Sequence, residues 1–153
     1  MKKLMITVAL FAACSGINPA CAEDAMMQMG NHHHGTSVID TRTSLGVTGP
    51  MQQHQLANMR SHVDAVKSIL GLMAERKFDE ASRVAHDKLG LTPEMQAMCG
   101  MFGNEEFRKL GLAFHQSGDD LGDVLKTGDV NASLRALNKT MQYCVECHAT
   151  FRQ

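Results

Sequence analysis

The stretch VNASLRALNKTMQYCVECHATFR, residues 130–152, decides how the rest of the chain is read. Val130, Leu134, Leu137 and Met141 recur at steps of three and four, and Cys144, His148 and Phe151 continue the series. That spacing is the period of a helix with one apolar face, and Asp129 stands where an N-cap is needed. The stripe runs unbroken into Cys144-Val145-Glu146-Cys147-His148. A Cys-x-x-Cys pair followed at once by His is the attachment signature of a c-type haem, whose vinyl groups take the two thiols and whose iron takes the imidazole. On a helix the three residues share one side, so they can grip one planar macrocycle. The motif therefore implies one covalent haem c, with His148 as its metal ligand, facing inward on a core helix.

Two other chemistries use a Cys-x-x-Cys pair. A thioredoxin-like redox pair calls for a βαβ setting with most of the domain downstream, and only residues 149–153 follow here. A zinc site calls for a second Cys/His pair at ligand spacing, and Cys99 stands alone.

The pattern continues upstream. A helix is expected over residues 50–76, with Gly49 as cap and the seam Leu56, Met59, Val63, Val66, Leu70, Met73. A second runs over residues 78–89 and stops at Gly90. Thr92-Pro93-Glu94 reads as the cap and first turn of a short piece reaching Met98. A third long helix opens at Asn104, with Glu105 and Glu106 at the positive end of its dipole, and closes near Gly128. Gly111 and Gly118 weaken it or permit close approach. Heptad-like seams and short connections predict an all-α fold, an antiparallel four-helix bundle enclosing the haem.

The first residues belong to another function. Lys2 and Lys3 precede an apolar run over residues 4–13, and Ala20-Cys21-Ala22 offers a small-x-small cleavage site, so residues 1–22 read as a secretory signal peptide cleaved near Ala22. The run is too short to span a bilayer. Export to the periplasm suits a haem that is attached to reduced thiols after translocation. Loss of the leader leaves 13 of the 15 basic residues against 16 acidic ones, and no basic run points to nucleic acid. Cys99 is then the one cysteine outside the motif, expected as a small buried apolar residue.

Residues 23–49 lack hydrophobic periodicity and read as a flexible arm before the domain at 50–153. Met26, Met27 and Met29 precede His32, His33 and His34 there, a soft donor set that suits copper. Met95, Met98, Cys99 and Met101 read as core filling, and His62, His86 and His115 as polar flanks. No Ser-His-Asp set, phosphate loop or carboxylate pair suggests an enzyme.

His148-Ala149-Thr150-Phe151-Arg152 completes the pattern Cys-x-x-Cys-His-x-x-aromatic-basic, and residues 50–153 thereby resemble the cytochrome c-prime family, the class II c-type cytochromes. The resemblance implies a periplasmic four-helix bundle, thioethers at Cys144 and Cys147, His148 as proximal ligand and Arg152 near the proximal imidazole. The stretch from Asn58 to His62 is similar to the family's Met-x-x-His segment, which would set Leu56 over the distal face with Met59 nearby. Gln52 departs from the basic residue or methionine ligand that many members carry. Members are often homodimers through their first two helices.

Leu56 has no donor atom, so with Leu56 over iron the site is five-coordinate and open to nitric oxide or carbon monoxide. Met51 or His54 would instead close the sixth position and give a low-spin carrier. The leading expectation is an electron-transfer cytochrome with an unidentified redox partner protein. The competing one is a periplasmic protein whose purpose is to bind gas or copper.

Overall fold

Short-range signals set the helix boundaries. In the computed structural model, which describes residues 39–153, α1 spans Gly49–Ala74, α2 Phe78–Leu89, α3 Pro93–Gly100, α4 Glu105–Leu125 and α5 Val130–Thr150. Three expected caps form: Asn104 Oδ1 accepts the Phe107 N–H at 2.9 Å, Asp129 Oδ1 the Ala132 N–H at 2.9 Å, and Thr92 Oγ1 the Met95 N–H at 3.3 Å, whereas α1 is preceded by Thr48 rather than capped by Gly49. Glu105 and Glu106 lie in the first turn of α4, where the helix dipole favours them. α1 ends less comfortably. Lys77 N–H reaches back to Leu72 O at 2.8 Å and Arg76 N–H to Met73 O at 3.0 Å, which places Arg76 at φ 61°. This is the Schellman arrangement with a side-chain-bearing residue in the place that glycine fills at least cost.

The described residues thus form an all-α unit, Asp40–Gln153, and none of its helices is long and apolar enough to cross a membrane. α1 packs on α2, α2 on α4, and α4 on α5, with α3 against α4. α1 and α5 make no comparable contact. Ile69, Leu89, Leu121 and Leu125 are fully buried at the centre. The α2–α4 contact is close because its residues are small. A Cβ on Gly118 would run into the Leu89 carbonyl, and one on Gly122 into the His86 ring. Ser82 Oγ donates to Gly122 O across the same contact at 2.7 Å.

A second, smaller core closes one end. Phe102 and Phe151 both meet Phe107 edge-on, with ring centroids 4.6 and 5.4 Å apart. Leu45 and Val47 pack against this group, and β1 (Thr43–Ser44) pairs in parallel with β2 (Phe151–Arg152). The compact unit therefore begins at Asp40 and includes residues that the sequence assigns to the arm. A two-residue ladder and two apolar side chains are too short to register as a period. The remainder of the arm and the leader, with the Met26 to His34 donor set, lie outside the described residues.

The buried faces of α1 and α5 differ from the expected seams. α1 buries Gln55, Ala65, Ile69 and Met73, while Val63 is 71% and Leu70 44% exposed. α5 buries Ser133, Leu137 and Thr140, and leaves Leu134 and Met141 each 44% exposed. Both helices are turned by about one residue from the stripe read in the sequence. Small polar residues let α5 approach α4 closely because their hydroxyls are satisfied: Ser133 Oγ donates to Asp129 O at 2.7 Å and Thr140 Oγ1 to Ser117 O at 3.1 Å.

Candidate cofactor site

The final turns of α5 present the motif in two directions. Cys144 and Cys147 are half-buried free thiols, Cys144 against the central core and Cys147 against the phenylalanine group. His148 is exposed. The sequence places His148 on the inward face, but the rotation of α5 carries it outward with Val145, which is 62% exposed. The three motif residues still occupy adjacent positions around one helix end, as their spacing requires.

Burial pushes both thiols up, Cys147 to about 11, where the neighbouring Cys144 and Cys99 sulfurs add to the effect. A thioredoxin-like attacking thiol needs the opposite, a lowered pKa at a helix N-terminus. These cysteines sit at the C-terminal end of α5, where the dipole also disfavours a thiolate. The redox-pair chemistry does not fit the site. Among the described residues no group of three His, Cys, Asp or Glu gathers to hold a metal ion.

Leu56 and Met59 are half-buried and line a shallow groove of about 460 Å³ along α1, with Val63 in its floor and Arg60, Asp64 and Lys67 at its edge. The groove is the expected α1 seam left outside. Its apolar floor and charged rim form an amphipathic surface. α5 carries the counterpart, an apolar stripe of Leu134, Met141 and Val145 that runs to His148. The β1–β2 pairing brings the residues just before α1 beside the end of α5. Met51 and Gln52 are half-buried and His54 is exposed in the first turns of α1.

Arg152 is exposed, and its recorded partner is Asp40, with Nε 3.8 Å from Oδ2. Cys99 is buried as expected, its sulfur so near the Gly111 backbone that a Cβ there would lie 2.9 Å away. Burial raises this thiol too, against the opposing charge of Arg108. Met98 joins the phenylalanine group, whereas Met101 is 58% exposed.

His86 is a half-exposed polar flank, as expected, but His115 and His62 are drawn into the interior. His115 is buried with Nδ1 2.9 Å from Leu89 O, His86 Nδ1 lies 2.9 Å from Asp119 Oδ1, and His62 stacks on Phe114 at 4.9 Å. Burial holds His62 neutral, its pKa lowered to about 4, with His115 adding to the shift. Gln55, on the inner face of α1 near the same end, is buried with Oε1 unpartnered. Sequence periodicity missed Gln55 because it scans for apolar residues. It also missed Asp40 and Arg42, whose i, i+2 spacing is the one local signal they offer.

Comparison with family models, curated proteins and solved structures finds no match to this chain. What the site can do follows from its own residues.

Proposed function

We propose that the chain is an exported, periplasmic monohaem cytochrome of the class II c-type kind, an antiparallel bundle enclosing its haem and acting as an electron carrier rather than a catalyst. One observation carries the reading. A Cys-x-x-Cys-His set with free, protonated thiols ends a helix whose apolar stripe, like the groove on α1, has no protein partner among the described residues. Exposed apolar area of this kind marks a surface that something covers, and a porphyrin fastened at Cys144 and Cys147 supplies an apolar plate next to both surfaces.

When bound, haem supplies one-electron chemistry at iron. The chain does the rest. Cys144 and Cys147 would hold the macrocycle edge through thioethers, and the His148 imidazole would be the protein ligand to iron. Leu56, Met59 and Val63 on the α1 groove would help exclude water from the bound group, which would favour the less charged ferrous state. Arg60 and Lys67 at the rim can pair with propionates.

Leu56 also supports the second reading, a gas-binding role, because a distal face without a donor atom leaves iron open to nitric oxide or carbon monoxide. Met51 or His54 in that place would make a six-coordinate carrier. Intact mass and a Soret band of the exported protein test the first reading: a chain with the mass of its amino acids alone and no Soret absorption refutes it. The ferrous spectrum separates the coordination states. A high-spin spectrum that shifts under carbon monoxide is expected, and a low-spin one indifferent to it would assign a sixth protein ligand.

A further inference from the structure

The charged residues around the end of α5 are organised as a clamp. Arg42 holds Asp40 through two parallel bonds, Nε to Oδ1 at 2.9 Å and Nη2 to Oδ2 at 2.8 Å, and the Arg42 N–H adds a third to Oδ1 at 3.1 Å. The remaining arm of the guanidinium, Nη1, donates to the main-chain carbonyl of His148 at 3.2 Å. The last carbonyls of a helix have no partner within it, so Arg42 satisfies an orphan acceptor on the very residue read as the iron ligand. Arg152 Nε approaches the same carboxylate, 3.8 Å from Oδ2.

The main chain reinforces this. Thr43 and Ser44 pair with Phe151 and Arg152, and Leu45 N–H donates to Arg152 O at 2.9 Å. Leu45 and Val47 then bury themselves against the phenylalanine group that holds Cys147. Residues 40–47 therefore cross the end of α5 and fix it from a distant part of the chain.

We propose that Asp40 and Arg42 are positioning residues for His148: the strap they brace sets the main chain from which the imidazole projects and the net charge beside it. The proposal rests on His148 being the iron ligand. A bidentate Asp–Arg pair is rigid compared with a single ion pair, so its fork can hold the last turn against fraying. Two guanidinium groups against one carboxylate leave a net positive charge near the ligand, and a positive charge disfavours the ferric state. Removal of the carboxylate and removal of the guanidinium must then move the potential in opposite directions. A clamp with a purely mechanical role would not produce opposite signs.

The test compares the full-length haem-loaded protein with its Asp40→Asn, Arg42→Gln and Arg42→Lys variants, at low ionic strength because salt screens charges of this exposure. Hydrogen exchange at the Leu45, Phe151 and Arg152 amides is expected to accelerate in all three, since lysine keeps the charge but lacks the fork. The midpoint potential is expected to rise in Asp40→Asn, fall in Arg42→Gln and stay nearest wild type in Arg42→Lys. Unchanged exchange would overturn the clamp, and shifts of the same sign or no shift would overturn the positioning role. Wild-type protein that emerges without haem would instead overturn the ligand assignment. Its mass reveals that before any variant is compared, and the positioning role then falls with it.

Discussion

Val63 and Val145 stand on the two apolar faces that the proposed haem covers, and they remain 71% and 62% exposed without it. Val→Thr at either position keeps the shape and the β-branch and exchanges one methyl for a hydroxyl. On an exposed helix surface such a change is worth within about 0.5 kcal/mol. Under a cover the hydroxyl must lose water, and the methyl contact of about 0.8 kcal/mol is lost in proportion to the area newly buried. A helical threonine can recover part of the desolvation by bonding the preceding turn, so the expected cost is about 1–2 kcal/mol per site in the loaded protein. Guanidinium unfolding of the haem-loaded chain, and of a Cys144→Ala, Cys147→Ala chain that cannot attach the group, measures both states. A loss no larger with haem than without it would refute the idea that these faces are covered by the cofactor.

Other parts of the fold respond measurably. Gly71→Ala and Gly118→Ala should have opposite signs in thermal melts: a Cβ on Gly71 meets nothing within 4 Å and gains roughly 0.5–1 kcal/mol of helix propensity, whereas one on Gly118 strikes the Leu89 carbonyl and costs about 1–2 kcal/mol net. Arg76→Gly should stabilise by about 1 kcal/mol by relieving the left-handed backbone at φ 61°. His62 titrates lower in the folded chain, at about 4, than its ordinary 6.5. The unfolded state therefore binds the proton first, and stability should fall by about 2–3 kcal/mol as pH drops from 6.5 towards 4. His115, lowered in the same direction by burial, steepens that slope. His62→Phe should flatten the profile, and an unchanged slope would assign the proton uptake elsewhere.

The helices were legible because their signals are local. Asn104, Thr92 and Asp129 cap from within three residues, and Pro93 and Gly90 punctuate from the same range. The Cys144, Cys147 and His148 spacing was legible for the same reason. The faces were not. On α1 the stripe through Leu56, Met59 and Val63 is more apolar than the one through Gln55, His62 and Ala65, yet the second is turned inward. Ala65 and Ser133 meet the neighbouring helices closely while Ile69 and Met73 fill the space further along, and Val63 is left outside. His115 was misread because an imidazole satisfied by a carbonyl from another helix has no sequence pattern of its own, and His62 because its aromatic neighbours lie on another helix.

What the amino-acid order determined by itself is therefore the set of helices and the thiol–imidazole spacing at the end of the last one, because backbone hydrogen bonding and motif spacing act over a few residues. Only the tertiary structure decided which side of α1 and α5 is buried, that His148 faces outward, and that Arg42, paired with Asp40, reaches across the chain to the His148 carbonyl. Those outcomes depend on how closely helix backbones approach and on which buried polar groups find partners, and both are settled by residues far apart in sequence.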